Sequence, residues 1–336
     1  MSRSAVVPAT LDRLDLNVAP FLNEAAVERA LRGSRPWDLA MYPEPGVPRL
    51  EAAIATSGGV SSDEVLVGNG SDEILDLAMR ALVPRGGSLG VVEPSFGMYD
   101  HFVRANGIAL GRARIRDGLP AEALVSLRAD AYFLPSPNNP TGTLFTREEI
   151  SSFLDRVDAP VLLDEAYAEF ARQDLRALAR ERGNVLVTRT FSKAYGLPGI
   201  RVGYVLGARE LVARLRAIRM PYNVTSWSER AALEALADPG FVDRTVAYVE
   251  RERDRLLGAL REGGWPVWPS RASFLFVGPL RDGTRVREGL RSRGIVVKPV
   301  PWPGGDEGTS LRISVGTEDQ NARLLDALRE VAPSPR

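Results

Sequence analysis

Of the 43 lysine and arginine residues in this 336-residue chain, two are lysines, Lys193 and Lys298, and the other 41 are arginines. Arginine serves wherever a solvated positive charge suffices. Guanidinium is never deprotonated in a protein, whereas an ammonium can lose its proton and attack a carbonyl. A lysine kept in such a chain is therefore a candidate reactive amine. A GC-rich coding bias accounts for the rarity of lysine but not for where these two stand.

Lys193 lies in Thr190-Phe191-Ser192-Lys193-Ala194-Tyr195-Gly196-Leu197-Pro198-Gly199-Ile200-Arg201, between two apolar runs, 185–188 and 202–206, that read as strands. Loops after strand ends are where α/β folds hold their chemistry. Thr190 and Ser192 bring hydroxyls, and Arg201 brings a bidentate anion clamp. An amine beside these groups suits an aldehyde cofactor that carries a phosphate, namely pyridoxal phosphate.

That cofactor makes further demands. Its ring nitrogen needs a carboxylate, and Asp164 closes the apolar run 161–163, where a buried acid must face a cation. Tyr167 lies three residues on and can donate to the ring's phenolate oxygen. So can Asn139, in Ser136-Pro137-Asn138-Asn139-Pro140-Thr141-Gly142, although this segment also reads as a plain Pro/Asn turn. Gly68-Asn69-Gly70-Ser71-Asp72-Glu73 follows a strand and opens a helix. Gly70, Ser71 and Asp72 thus offer a phosphate cradle, and an ordinary helix cap would use the same residues. The segment is not GxGxxG and the chain has no GxxxxGK[ST], so neither a dinucleotide fingerprint nor a P-loop is supported. Tyr99, in Glu93-Pro94-Ser95-Phe96-Gly97-Met98-Tyr99, is the candidate to stack on the ring; the alternative is a core aromatic.

Composition narrows the field. The formal net charge is zero, so no nucleic-acid footprint or basic membrane face is expected. Without cysteine, thiolate nucleophiles, disulfides and Cys-ligated zinc are excluded. A single histidine, His101, argues against a His-rich metal site or a Ser-His-Asp triad, and no metal is expected. No apolar run is long enough to span a bilayer, and MSRSAVVPAT lacks the apolar core of a signal peptide. A cytoplasmic enzyme is the expectation.

The elements that must position these residues follow from the hydrophobic pattern. Runs at 65–67, 89–92, 108–110, 131–134, 161–163, 185–188 and 202–206 are apolar on both faces and alternate with helices near 72–82, 147–156 and 210–218. This predicts an α/β fold with a largely parallel sheet covered on both sides. After Pro221 the texture changes to helices at 229–236 and 241–260, then apolar runs at 273–277, 295–297 and 311–315, and a final helix near 318–331. These predict a smaller α+β domain. The Pro/Gly stretch 299–308 reads as a loop.

Taken together, the segments resemble a fold-type-I pyridoxal-phosphate aminotransferase, most closely the histidinol-phosphate aminotransferase group. The matching stretches include Tyr42-Pro43-Glu44-Pro45, 68–73, 96–99, 136–142, 164–170, 190–204, Met220-Pro221-Tyr222-Asn223, 269–276 and Leu311-Arg312-Ile313-Ser314. They recur in family order over nearly the whole chain. The resemblance implies a large domain (37–225) built on a mostly parallel seven-stranded sheet between helices. It also implies a small α+β domain (226–336), which an N-terminal arm (1–36) joins. Lys193 would form the internal aldimine and shuttle the proton, Asp164 would hold the pyridinium, and Tyr167 and Asn139 would bind the phenolate oxygen. Tyr99 would stack on the ring, while Gly70, Ser71, Thr190, Ser192 and Arg201 would hold the phosphate, with Asp72 a further cofactor-binding residue. Tyr42 would reach the phosphate of a partner subunit, which implies a homodimer with shared sites. Arg312 would bind the anionic end of the substrate, with Lys298, Asn17 and Tyr222 as further substrate contacts.

The implied reaction transfers an amino group between histidinol phosphate and 2-oxoglutarate. Two departures from that pattern bear on substrate. Asn17-Val18-Ala19-Pro20 lacks an acid that relatives carry, and Lys298 stands where many have arginine. Transamination of another α-amino acid, or a decarboxylase or cyclase reaction on the same scaffold, are the alternatives. Trp37 and Trp302 fall in segments that could edge the pocket.

Overall fold

The computed structural model of the chain describes residues 11–302 and 309–332. The first ten residues of the expected arm and residues 303–308 of the expected loop lie outside them. A short strand, β1 (Asp12–Arg13), precedes β2 (Val65–Gly68), β3 (Ser88–Glu93), β4 (Ala109–Arg114), β5 (Ala131–Pro135), β6 (Val161–Asp164), β7 (Val185–Thr190) and β8 (Gly203–Gly207). Strands β2 to β8 form one sheet in the order β2-β8-β7-β6-β5-β3-β4. β8 runs antiparallel to both its neighbours, and every other pairing is parallel.

The two-faced burial follows from residue alternation. Val161 and Leu163 of β6 pack into one apolar cluster, with Val185 and Val187 of β7. Leu162 and Leu186, one residue out of phase, pack into a second cluster on the other face. Helices cover both faces, so β6 and the first half of β7 are apolar on both sides. The helix Gly70–Leu82 seals one face with Ile74, Leu75, Ala78 and Met79.

Register then delivers the chemistry to one sheet edge. Gly68 of β2 pairs with Gly203 of β8, and Gly203 with Thr190 of β7. Asp164 of β6 pairs with Thr188 of β7 and Pro135 of β5. The carboxyl ends of the central parallel strands thus hold Asp164, Thr190 and the loop that carries Lys193, as expected for an open α/β sheet.

The second body is built on β9 (Phe274–Leu280), β10 (Ile295–Val296), β11 (Lys298–Pro301) and β12 (Thr309–Ser314). β11, β12 and β9 form an antiparallel sheet, and β10 pairs in parallel with β1. Its core gathers Val249 and Leu256 from the 24-residue helix Pro239–Glu262, Phe274, Ile313 and Leu328, together with Leu14 from the N-terminal segment. Two expectations need correction. Residues 299–301, read as the start of a loop, belong to the edge strand β11; Pro299 and Pro301 are tolerated because an edge strand needs donors on one side only. The run at 108–110 marks only the start of β4, whose Arg112 and Arg114 hide an edge strand from a hydrophobicity reading.

Candidate active site

Asp164 ends β6 within a cavity whose other walls include Phe96, Pro135, Pro137, Asn139, Ala166 and Tyr167. Both carboxylate oxygens are held: Ala166 N–H donates to Oδ1 at 3.2 Å, and the Tyr99 hydroxyl donates to Oδ2 at 3.0 Å. Burial pushes the carboxyl up to about 6, against the pull of these two donors and of Lys193. A buried acid at that cost awaits a cation, which is what a protonated ring nitrogen offers.

Lys193 lies in the turn after β7. Its Nζ donates to the carbonyl of Asn17 at 3.2 Å and to that of Leu16 at 3.5 Å, and stands 5.5 Å from the Tyr167 ring centre. It lines the same cavity as Asp164. Asn17 does more than present a carbonyl. Its side chain donates to the Tyr167 hydroxyl at 3.0 Å and accepts from Ser314 Oγ at 3.0 Å. Asn17 is 1% exposed and lines neither cavity described here. Expected as a substrate contact, it instead holds Tyr167 and Lys193 in place, because its polar groups are consumed inside the protein.

The opposite end of the cavity is an anion cradle. Ser71 and Asp72 come from the first turn of the helix Gly70–Leu82, whose leading N–H groups have no intrahelical partner. Thr190, Ser192 and Arg201 face them. Arg201 Nη2 pairs with Asp72 Oδ2 at 3.1 Å, and Nη1 reaches Ser192 Oγ at 3.4 Å. The close approach of Arg201 and of the Ser71 backbone relies on glycine at two positions. A Cβ on Gly70, at φ +77°, would meet Arg201 Nη2 at 2.6 Å, and one on Gly203 would meet the Ser71 nitrogen at 2.5 Å. An amine, a buried carboxylate and an anion cradle of hydroxyls and a guanidinium around one cavity fit pyridoxal phosphate.

A second cavity, of about 650 Å³, adjoins the first through Phe96 and Asn139. Arg312 lines it and is largely buried. Its Nη1 donates to Asn139 Oδ1 at 2.8 Å and its Nη2 to the Asp15 carbonyl at 2.6 Å, while Nε is buried without a partner. Burial lowers its pKa, and no carboxylate is ion-paired with it among the described residues. Lys298, exposed on β11, lines the same cavity beside Trp302.

Three other expected contacts fall elsewhere. Tyr99 does not take the stacking position. It is 1% exposed, inside the helix Met98–Asn106, and its hydroxyl is engaged by Asp164. Phe96, from the same motif but ahead of that helix, lines the cofactor cavity instead. The helix starts at Met98, which leaves Phe96 in the loop ahead of it, where site residues gather. Tyr42 and Tyr222 approach neither cavity. They stack on each other with ring centres 4.9 Å apart, and Tyr42 is 79% exposed. Of the flagged tryptophans, Trp302 lines the larger cavity, whereas Trp37 lies by Tyr42 in a separate hollow. Glu165, behind Asp164, is a buried ion-pair partner of Arg189, which donates to Oε2 from Nε at 2.9 Å and Nη2 at 2.7 Å. Among the described residues no helix is long and apolar enough to cross a membrane, and no cluster of three metal-ligating side chains occurs.

Residues 14–328 match the family described as aminotransferase class I and II. The chain is 36% identical over 342 residues to histidinol-phosphate aminotransferase 1 of Thiobacillus denitrificans, an alignment covering 98% of this chain and 86% of that relative. Among solved structures, histidinol-phosphate aminotransferase from Sinorhizobium meliloti in complex with pyridoxal-5'-phosphate superposes with a TM-score of 0.88 at 26% identity, covering 96% of this chain and 91% of that one. L-threonine-O-3-phosphate decarboxylase from Porphyromonas gingivalis superposes with a TM-score of 0.85 at 25% identity, covering 95% and 99%.

Proposed function

Because this chain belongs to the family of class I and II aminotransferases, we propose that it transfers an amino group between histidinol phosphate and 2-oxoglutarate, with pyridoxal phosphate as cofactor. The observation that carries this reading is the placement of Lys193 and Asp164 on one cavity whose far end is the Gly70–Arg201 cradle. Bound pyridoxal phosphate supplies an electrophilic carbonyl and an electron sink.

The chain's own residues do the rest. Asp164 keeps the ring nitrogen protonated. Tyr167 and Asn139 donate to the phenolate oxygen. Ser71, Thr190, Ser192 and Arg201 hold the phosphate, with Asp72 orienting Arg201. Lys193 would hold the cofactor through its carbonyl carbon, the carbonyl oxygen leaving as water, and its freed amine would move a proton at the substrate Cα, kept to short range by the Asn17 and Leu16 carbonyls. Arg312, whose buried Nε lacks a partner, receives the substrate's anionic end, with Lys298 beside it.

The same reading extends to assembly. Trp37, Met41, Tyr42, Met220 and Tyr222 are apolar side chains left at least half exposed, an unusual concentration for a surface that stays wet. A second copy covering them makes a homodimer in which Tyr42 reaches the partner's cofactor phosphate. The division into an arm (1–36), a cofactor domain (37–225) and a small domain (226–336), and a cytoplasmic location, belong to the same proposal; the pairing of β1 with β10 supports joining the arm to the small domain.

Titration of the purified protein's visible absorbance tests the reaction. Histidinol phosphate and glutamate should each convert the band to the pyridoxamine form. Conversion by other amino acids alone would move the substrate to a different α-amino acid. A band that no amine discharges to pyridoxamine would replace transamination with a decarboxylase or cyclase reaction.

A further inference from the structure

Tyr99 is buried in a way that packing does not explain. Its ring is held edge-on between Phe96 and Phe133, with centres 5.7 Å and 5.8 Å away. A phenylalanine would satisfy both contacts. The hydroxyl instead reaches the end of β6 and donates to Asp164 Oδ2 at 3.0 Å. Ala166 N–H occupies the other oxygen at 3.2 Å, so each carboxylate oxygen has one protein donor and one lone pair left. Asp164 still lines the cavity.

We infer that Tyr99 is a positioning residue that acts through Asp164: its hydroxyl fixes the carboxylate plane and lowers the carboxylate's basicity toward the ring nitrogen of pyridoxal phosphate. The inference rests on the reading that Asp164 meets that nitrogen. Burial raises the Tyr99 hydroxyl well above its ordinary pKa, and the Asp164 charge adds to this, so the phenol remains a donor across the working pH range. A carboxylate without this donor is a stronger base. The shared proton then moves toward Asp164, the ring becomes less positive, and it withdraws less charge from the nitrogen of Lys193.

Apoprotein carrying Tyr99→Phe, Asp164→Asn or both is titrated with pyridoxal phosphate, reading the dissociation constant and the pH midpoint of the visible band. Tyr99→Phe should weaken binding roughly tenfold, the worth of one hydrogen bond to a charged group, and move the midpoint to higher pH. On the Asp164→Asn background the same change should alter affinity by less than about twofold, because the charge it serves is gone. A ring-fluorinated tyrosine at position 99, of nearly the same shape and a stronger donor, should move the midpoint to lower pH. That variant decides the matter if Tyr99→Phe does not fold. A silent Tyr99→Phe beside an Asp164→Asn that shifts both readouts overturns the inference alone. If Asp164→Asn is silent too, the assignment of Asp164 is overturned and the inference goes with it.

Discussion

Lys298 and Arg312 are cross-strand partners in register on antiparallel β11 and β12, and both line the larger cavity. Two cations so placed, one an exposed ammonium and the other a buried fork, make a receptor for a group carrying more than one negative charge. Arg312→Lys keeps a charge but loses the bidentate geometry. It should lower kcat/KM for histidinol phosphate about a hundredfold, or roughly 2.7 kcal/mol. Lys298→Ala should act mainly on KM, by about tenfold. Steady-state kinetics on both variants check this, and an unchanged KM in each would remove the anion site from this cavity.

Lys193→Arg retains the positive charge and much of the length, yet a guanidinium cannot lose its proton to react with a carbonyl. The variant should bind pyridoxal phosphate without the visible band of the wild type, and its turnover should fall to background. Absorbance and borohydride trapping followed by peptide mass analysis would show it; a trapped adduct at Lys298 would transfer the role to the other lysine.

Asp164 makes stability depend on pH in a definite direction. Its pKa rises from 3.8 to about 6 on folding, chiefly through burial. A carboxyl with a raised native pKa is bound more tightly to its proton in the folded state. Its charge therefore costs nothing below 3.8, costs progressively more up to pH 6, and about 3 kcal/mol above it. In the apoprotein, Asp164→Asn should gain on the wild type across that window and hold a constant difference at higher pH. Denaturant titrations between about pH 4 and pH 8 measure the difference; one that does not vary with pH would contradict it.

Arg189 holds three acidic side chains, pairing with the fully buried Glu165 and lying 3.3 Å from Asp174 and 3.7 Å from Glu169. Burial opposes its charge, but Glu165 and Glu169 outweigh this and raise its pKa further. Arg189→Leu takes the cation away from Glu165, whose carboxyl burial already pushes up to about 7, and leaves it only the Leu175 N–H donor, at a cost of about 3–5 kcal/mol. Adding Glu165→Leu should recover part of that loss. Unfolding curves at neutral pH decide it, and a single variant as stable as the wild type would show that the pair is idle.

The residues legible in the sequence were those whose chemistry is local. Asp164, Thr190 and Lys193 each follow an apolar run, so their place at strand ends could be read directly, and the parallel order followed from alternating helices. The aromatic that lines the cavity was not legible. Phe96 and Tyr99 stand three residues apart, and only the start of the helix at Met98 sends one to the cavity and the other behind Asp164. The hold on Lys193 was hidden for a different reason. It comes from backbone carbonyls of residues 16 and 17, and every residue has a carbonyl, so nothing in the side-chain pattern marks these two. β11 was concealed by its prolines.

The hydrogen bond from Asn17 to Ser314 joins positions 297 residues apart. Ser314 is synthesised long after Asn17, yet the hold on Tyr167 and Lys193 runs through both. A nascent or truncated chain can complete the seven-stranded sheet and its cofactor cradle before this clasp exists. Competence to react therefore waits for β12, and a polypeptide cut short before it lacks the clasp that steadies Asn17.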